Sequence, residues 1–520
     1  MLPAYRNEPL TDFSLAANAD AFRQALEKVK QQIGKTYPLV IGDQEIALND
    51  TFDSLNPARP KEVVGRFANG TAAHVDQAIE AAAQAFEDGW KSTPVETRAR
   101  YLLDVAAEMR RRKHEFSAVM VLEVGKSWNE ADSDTAEAID FLEYYAREMM
   151  RIADSSAMLS PRDGEQLQLV YIPLGVGAII PPWNFALAIP TGMVAAALVA
   201  GNTVVFKPAE QSPWTGWILA QLFWDLGLPP GVLNFLTGPG EVVGARMVEH
   251  PRTRFVAFTG SKEVGVHIYE ETAKVQPGQI WLKRAILEMG GKDAVVVDET
   301  ANLDSAAEGI VAGAFGFQGQ KCSAGSRAII VDAVYDQLVE KVVARSQRLS
   351  VGATDGSPQV SIGPVVDEDA FKRIQKYLEI GAQEGKVLLG GKIVETDESG
   401  YFIAPTIFGD VDRNARVAQE EIFGPVLSVI RAADYDDALA IANGTQYGLT
   451  GAVYTNVRSR IEQARETYHV GNLYFNRKCT GAMVGAHPFG GFNMSGTDSK
   501  GGGPDYLLLF TQAKSIAEAL

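Results

Sequence analysis

At 520 residues the chain is too long for a single hydrophobic core, so two or three domains are expected. Hydrophobic residues make up 46% of it and charged residues 22%, the balance of an ordinary globular protein, and its longest apolar stretches are interrupted by Gly, Pro or Asn too early to span a membrane. A net charge of −17, from 65 acidic against 48 basic residues, argues against nucleic acid as the main partner.

The opening residues, from Met1 to Phe13, show no basic region followed by an apolar core, so no signal peptide is expected. Two cysteines cannot build a disulfide framework, which suits the reducing cytoplasm. The six histidines have no HExxH or CxxC companions, and no metal is expected.

In chain order, the first forty residues read as a charged, helix-rich arm. A long helical region runs from Ala72 to about Arg151, with Ala and Leu at helical spacing, and Arg110-Arg111-Arg112-Lys113 reads as a solvated face. From Gly175 the rhythm changes to short apolar strands ending in Gly, Pro or Asn, each followed by a helical stretch. The strands are Gly175–Ile180, Thr203–Phe206, Val232–Leu236, Arg254–Phe258 and Ala285–Glu288. This alternation specifies a parallel, doubly wound α/β sheet. The pattern resumes at Ala294–Val297 and continues to Tyr474 as a second α/β unit, which leaves Glu288 at the seam.

Several strand ends carry chemistry. After the first comes Pro181-Pro182-Trp183-Asn184-Phe185, where stiff prolines leave the Asn184 amide free to donate to a developing oxyanion; such an Asn alone would more often cap a helix. After the second, Lys207 and Glu210 place a cation and an anion three residues apart, suited to ribose hydroxyls or to a plain surface ion pair. The Gly238–Gly244 run is a poor match to a phosphate loop. Gly260-Ser261, between a strand and a helix, suits pyrophosphate or simple N-capping. Glu288, before Met289-Gly290-Gly291, stands at a strand end beside apolar residues, where its proton affinity rises toward that of a general base. Cys322 lies in the glycine-rich loop Phe315–Gly325 between Lys321 and Ser323, and a neighbouring cation with open N–H groups favours the nucleophilic thiolate. A free cysteine is otherwise usually a small buried hydrophobe.

Taken together, the runs around Trp183, Lys207, Ser261, Glu288 and Cys322, with Glu420-Glu421-Ile422-Phe423-Gly424-Pro425, resemble the ordered motifs of the aldehyde dehydrogenase superfamily from about Leu55 to Phe510. The resemblance implies Cys322 as nucleophile, Glu288 as general base and Asn184 as oxyanion donor. It implies NAD as cofactor, contacted by Trp183, Lys207, Glu210, Gly260, Ser261, Glu421 and Phe423. Lys207 and Glu210 would hold the adenosine ribose, Ser261 the pyrophosphate, and Glu421 with Phe423 the nicotinamide ribose and ring. A three-part chain also follows: a doubly wound NAD-binding domain with the N-terminal arm (1–150 and 171–288), a second α/β catalytic domain (289–490), and a small β oligomerisation flap (151–170 and 491–520). In that flap, a segment near Leu167–Ile172 is expected to meet a C-terminal strand Tyr506–Gln512.

A further run, Asn476 to Gly491, resembles the carboxylate-anchoring loop of the 1-pyrroline-5-carboxylate dehydrogenases, and the Arg6-Asn7-Glu8-Pro9 arm looks like the same subfamily. By that resemblance Ser323 and the backbone of Gly481 and Ala482 bind the substrate α-carboxylate, Lys321 and Phe489 line the pocket, and Glu137 lies toward the α-ammonium group. Glycine lets a backbone N–H approach an anion closely. Cys479 departs from the aliphatic residue expected there and brings a second thiol toward the site. The implied activity is NAD-dependent oxidation of glutamate γ-semialdehyde to glutamate by a cytoplasmic homo-oligomer, with functional coupling to a proline dehydrogenase. A different semialdehyde dehydrogenase, a Cys-His thiol hydrolase using His487, and a binding protein on an enzyme scaffold are the competing readings.

Overall fold

The computed structural model describes residues 3–153, 159–396 and 399–520. Part of the expected 151–170 flap segment, residues 154–158, lies outside the described residues.

Branched, apolar strands buried on both faces form the first sheet. Its order is Arg284–Glu288, Thr253–Thr259, Val176–Ile180, Thr203–Phe206, Leu233–Phe235, Leu39–Ile41 and Gln44–Ile46. The first five run parallel, and the last two are antiparallel additions at the edge. All five parallel strands begin and end within one residue of the expected positions. Their register sets Thr259 beside Glu288 and Phe258 beside Ile180, so the chemistry-bearing strand ends share one edge. Open α/β sheets bind ligands at that carboxyl edge.

A second seven-stranded sheet runs Lys386–Leu389, Thr406–Gly409, Val426–Ala432, Arg327–Val331, Ala294–Val297, Thr450–Tyr454 and Asn472–Phe475, parallel except for its first strand. The loop bearing Cys322 connects the helix Leu303–Phe315 to the Arg327–Val331 strand.

Four expectations need correction. The first forty residues contain one helix, Ala16–Lys30; residues 3–14 run without regular structure, and Lys35–Tyr37 and Leu39–Ile41 are strands. Branched and aromatic side chains around Pro38 favour extended backbone over helix. The long helical region divides into Ala72–Glu87, Val95–Arg111, Lys113–Val124 and Trp128–Ala153. One break is Gly125, whose φ of 69° and closeness to Pro364 require glycine. The Arg110–Lys113 run is only partly solvated: Lys113 is buried against Asp132 at 3.0 Å, and Arg110 pairs with Glu8 at 2.7 Å and Glu143 at 3.1 Å. Finally, Tyr506–Phe510 is a short 3-10 helix, and the C-terminal strand is Thr511–Ala519, paired antiparallel with Glu165–Pro173. Tyr506, Leu507 and Phe510 are buried, Tyr506 stacking on Tyr145 at 5.6 Å, and an isolated strand could not turn all three inward.

Candidate functional site

A cleft of about 380 Å³ opens at the carboxyl edge of the first sheet. Pro182, Trp183, Asn184, Gly260, Ser261 and Gly290 line it from one side, and Cys322, Glu421 and Phe423 from the other. These residues come from segments spread between positions 182 and 423 and meet because both sheets present their loops here.

Cys322 follows a tight turn in which Phe317 and Gln318 both adopt left-handed backbone, with φ of 48° and 57°. The strained turn is held from outside, since the Gln318 amide donates to the Pro364 carbonyl at 2.8 Å and the Gly125 carbonyl at 3.2 Å. The Asn184 amide donates to the Gln320 carbonyl at 3.1 Å, which ties the first strand end to the cysteine loop. The Cys322 thiol is half-buried and unpaired. Burial raises its proton affinity well above the ordinary thiol value, and the carboxyl groups of Asp293, Glu421 and Glu288 raise it further. These influences oppose the expected thiolate. Lys321 does not offset these charges, because its ammonium is bound by Glu130 at 2.7 Å.

Glu288 ends its strand with Oε2 buried and without a partner. Burial pushes its carboxyl up to about 8, opposed by a hydrogen bond from Ser499 and the charge of Lys500. The Ser499 hydroxyl donates a short bond to Oε1. Residues 495–499 zip onto the strand end: Met289 N–H donates to the Ser495 carbonyl at 2.8 Å and Thr497 N–H to the Leu287 carbonyl at 2.9 Å. Sequence reasoning missed Ser499 and Lys500. Their polar run, Ser495-Gly496-Thr497-Asp498-Ser499-Lys500, was a visible signal, but its spatial neighbour lies more than 200 residues earlier.

The Lys207 ammonium is buried and meets Glu210 at 2.7 Å, facing the turn at Gly240–Gly244. Ser261 caps the helix Lys262–Ala273 by accepting from the Val264 N–H at 3.3 Å. Glu421 accepts from the Gly291 N–H at 3.1 Å, and burial pushes its carboxyl up to about 7. Phe423 lies edge-on to Trp183, with ring centroids 5.5 Å apart. Gly260, Ser261, Gly290, Glu421 and Phe423 in the cleft, with the buried Lys207 and the half-exposed Glu210 next to the lining residue Gln211, form a donor set that fits a dinucleotide: a helix start for pyrophosphate, and a cation and carboxylates for ribose hydroxyls.

Glu288, Lys207, Glu210 and the remaining candidates are not among the residues that line this cleft. Glu137, on the helix Trp128–Ala153, is half-buried, and burial with Asp134 pushes its carboxyl up to about 8. Ser323 is buried beside Cys322, and its carbonyl accepts from the Cys479 thiol at 3.5 Å. Cys479 is fully buried, and burial pushes its thiol up to about 12, so it packs as a small apolar group beneath the loop. Gly481 takes a φ of 79°, and Arg477 donates to its carbonyl at 3.0 Å. Phe489 N–H donates to the Gly501 carbonyl at 2.8 Å. Among the described residues, no three His, Cys, Asp or Glu side chains are placed to hold a metal ion, and no helix is long and apolar enough to cross a membrane.

Two doubly wound sheets joined at such a cleft define a nucleotide-dependent enzyme class, and the sequence profile of the aldehyde dehydrogenase family matches residues 45–516. The chain belongs to that family. It is 56% identical over 519 residues to a 1-pyrroline-5-carboxylate dehydrogenase of Geobacillus thermodenitrificans, covering all of both chains. It superposes on a Thermus 1-pyrroline-5-carboxylate dehydrogenase solved with bound NAD, with a TM-score of 0.97, 51% identity and complete coverage of both. Proline utilization A from Bdellovibrio bacteriovorus matches with a TM-score of 0.96 and 45% identity, covering 99% of this chain and 53% of that one.

Proposed function

We infer that the protein oxidises L-glutamate γ-semialdehyde, the open form of 1-pyrroline-5-carboxylate, to L-glutamate with NAD, the second step of proline catabolism. The observation that carries this is that Cys322 and Asn184 line one cleft while Glu288, next to the lining residue Met289, lies close enough to raise the proton affinity of the Cys322 thiol, together with full-length similarity to the relatives above.

The residues divide the work as follows. The Cys322 thiol gives its proton to solvent water and its sulfur bonds to the aldehyde carbon, whose carbonyl π pair moves onto oxygen. The new oxyanion accepts from the Cys322 backbone N–H and from the Asn184 amide, which exchanges the Gln320 carbonyl for it; each such donor is worth about 3 kcal/mol. NAD, when bound, supplies the hydride acceptor that turns this thiohemiacetal into a thioester. Glu288 then takes a proton from water, the hydroxide adds to the thioester carbon, and the carbon–sulfur bond breaks to release glutamate and Cys322. A base pushed up to about 8 has the proton affinity this step needs near neutral pH.

Lys207 and Glu210 hold the adenosine ribose, and the Glu210 carboxylate disfavours a 2′-phosphate, so NAD is preferred over NADP. Ser261 with Gly260 faces the pyrophosphate, Trp183 flanks the nicotinamide end, and Glu421 and Phe423 hold its ribose and ring. Ser323, Gly481 and Ala482 anchor the α-carboxylate; Lys321 and Phe489 line the pocket, and Glu137 faces the α-ammonium. Most of the Thr511–Ala519 strand is exposed, with one edge unpaired, and such an edge suits assembly of a homo-oligomer. Free thiols suit the cytoplasm. The likeness to proline utilization A supports supply of the substrate by a proline-oxidising enzyme.

Ser323→Ala tests the reading. Loss of a hydrogen bond to a charged group, about 1.5–3 kcal/mol, lowers kcat/KM for glutamate semialdehyde roughly tenfold to a hundredfold. Propanal, with no carboxylate, is unaffected. Equal losses on both substrates would show that Ser323 only positions Cys322, and faster turnover of succinic semialdehyde than of glutamate semialdehyde by the unaltered enzyme would refute the substrate.

A further inference from the structure

The segment from Pro3 to Phe13 has no helix or strand, yet it is pegged along the helices Val95–Arg111, Lys113–Val124 and Trp128–Ala153. Arg110 pairs with Glu8 at 2.7 Å, and the Glu8 N–H donates to Asp140 at 2.7 Å. Lys113 donates to the Pro9 carbonyl at 2.9 Å, and Thr11 donates from its N–H and hydroxyl to Asp132 at 2.8 and 2.6 Å. Phe13 then packs edge-on against Trp128, with centroids 5.5 Å apart. So many fixed points give an irregular segment a defined position.

The free face of this segment meets the loop 481–489. The Asn7 amide donates to the Val484 carbonyl at 3.0 Å while also donating to Asp140 at 2.8 Å. The Tyr5 hydroxyl donates to the same carbonyl at 3.2 Å. The Tyr5 ring sits edge-on to Tyr144 at 5.1 Å, and the two rings crowd the Cβ position of Gly485, whose φ is 78°. Val484 is buried, whereas Gly481, Met483, Gly485 and Ala486 are exposed. Arg477 holds the Gly481 carbonyl, and the Gly485 and Phe489 N–H groups donate to Gly502 and Gly501, so Tyr5 and Asn7 fix the loop between these two ties.

We propose that Tyr5 and Asn7 are positioning residues that set the height of the 481–489 loop and thereby the preference for an aldehyde bearing a carboxylate. The proposal rests on the reading that the Gly481 and Ala482 backbone N–H groups hold that carboxylate. Arg477 holds the Thr480 and Gly481 carbonyls, which share peptide planes with the Gly481 and Ala482 N–H groups. Val484, three peptide units past the Ala482 N–H, fixes the chain that leaves them, so its anchoring sets where that stretch of loop stands. Anion recognition by backbone donors demands placement to within about half an ångström, so releasing Val484 weakens the anchor while leaving Cys322, Asn184 and Glu288 in place.

The test uses the full-length enzyme carrying Asn7→Ala, Asn7→Asp or Tyr5→Phe, assayed with glutamate semialdehyde and propanal at saturating NAD. Asn7→Ala raises KM for glutamate semialdehyde roughly tenfold with kcat little changed, and leaves propanal turnover within about twofold of wild type. Asn7→Asp behaves the same way, because a carboxylate cannot donate to Val484. Tyr5→Phe, which keeps the ring and its packing, gives a smaller change in the same direction and serves if either Asn7 variant fails to fold. Equal losses on both substrates, or no change on either, would overturn the proposal while the wild-type preference for glutamate semialdehyde stands. A wild-type enzyme with no such preference would refute the carboxylate-anchor reading itself, and this inference with it.

Discussion

Replacing Ser499 with Ala probes the setting of the general base. Glu288 works as a carboxylate, so deacylation rises with pH through its titration. With the group pushed up to about 8, roughly a tenth is ionised at pH 7 and roughly nine tenths at pH 9, a ninefold rise in rate. The Ser499 hydroxyl donates to the carboxylate and stabilises its charged form; such a bond contributes about 1.5–3 kcal/mol, equivalent to about one to two pH units. Ser499→Ala therefore moves the midpoint upward by that amount, and Ser499→Thr restores it. Lys500 favours the carboxylate, Asp498 opposes it, and Tyr506 and Cys322 also face Glu288. The assay is the pH profile of the slow phase after the NADH burst, when Cys322 is acylated and cannot titrate. A midpoint that stays put or moves down would refute the argument.

Cys322→Ala abolishes dehydrogenation and leaves NAD binding near wild type by fluorescence titration; activity above a tenth of wild type, a barrier change under about 1.4 kcal/mol, would end the covalent mechanism. Glu288→Gln gives a burst of about one equivalent of NADH per site followed by slow turnover, and loss of the burst would place Glu288 before hydride transfer. Lys126→Met strands Asp134, since the fully buried pair at 2.7 Å lies beneath the rings of Phe185 and Phe317, and destabilises the fold by about 3–5 kcal/mol in urea unfolding. Adding Asp134→Leu restores most of that loss, and a single variant as stable as wild type would mean the pair carries no such penalty.

The sequence alone was sufficient for the parallel sheets, because runs such as Val176–Ile180 and Thr203–Phe206 are too apolar and too branched to be anything but strands buried on both faces. It was also sufficient to single out Cys322, Glu288 and Asn184 as candidates, since each stands where a strand or helix gives way to glycine or proline. What it misjudged depends on distant partners. Lys321 looks like an activating cation beside Cys322 until Glu130, 191 positions away, binds it; Lys113 looks solvated until Asp132 buries it. Proton affinities follow the same rule: neighbours in the chain leave the Cys322 thiol facing a lysine, whereas neighbours in space surround it with Asp293, Glu421 and Glu288. Ser499 on Glu288 and Asn7 on Val484 are contacts across 211 and 477 positions, and nothing in local pattern encodes them. Periodicity and turn chemistry act between residues a few positions apart, while desolvation and charge act over a few ångströms regardless of sequence distance, and only the tertiary structure decides which groups those ångströms contain.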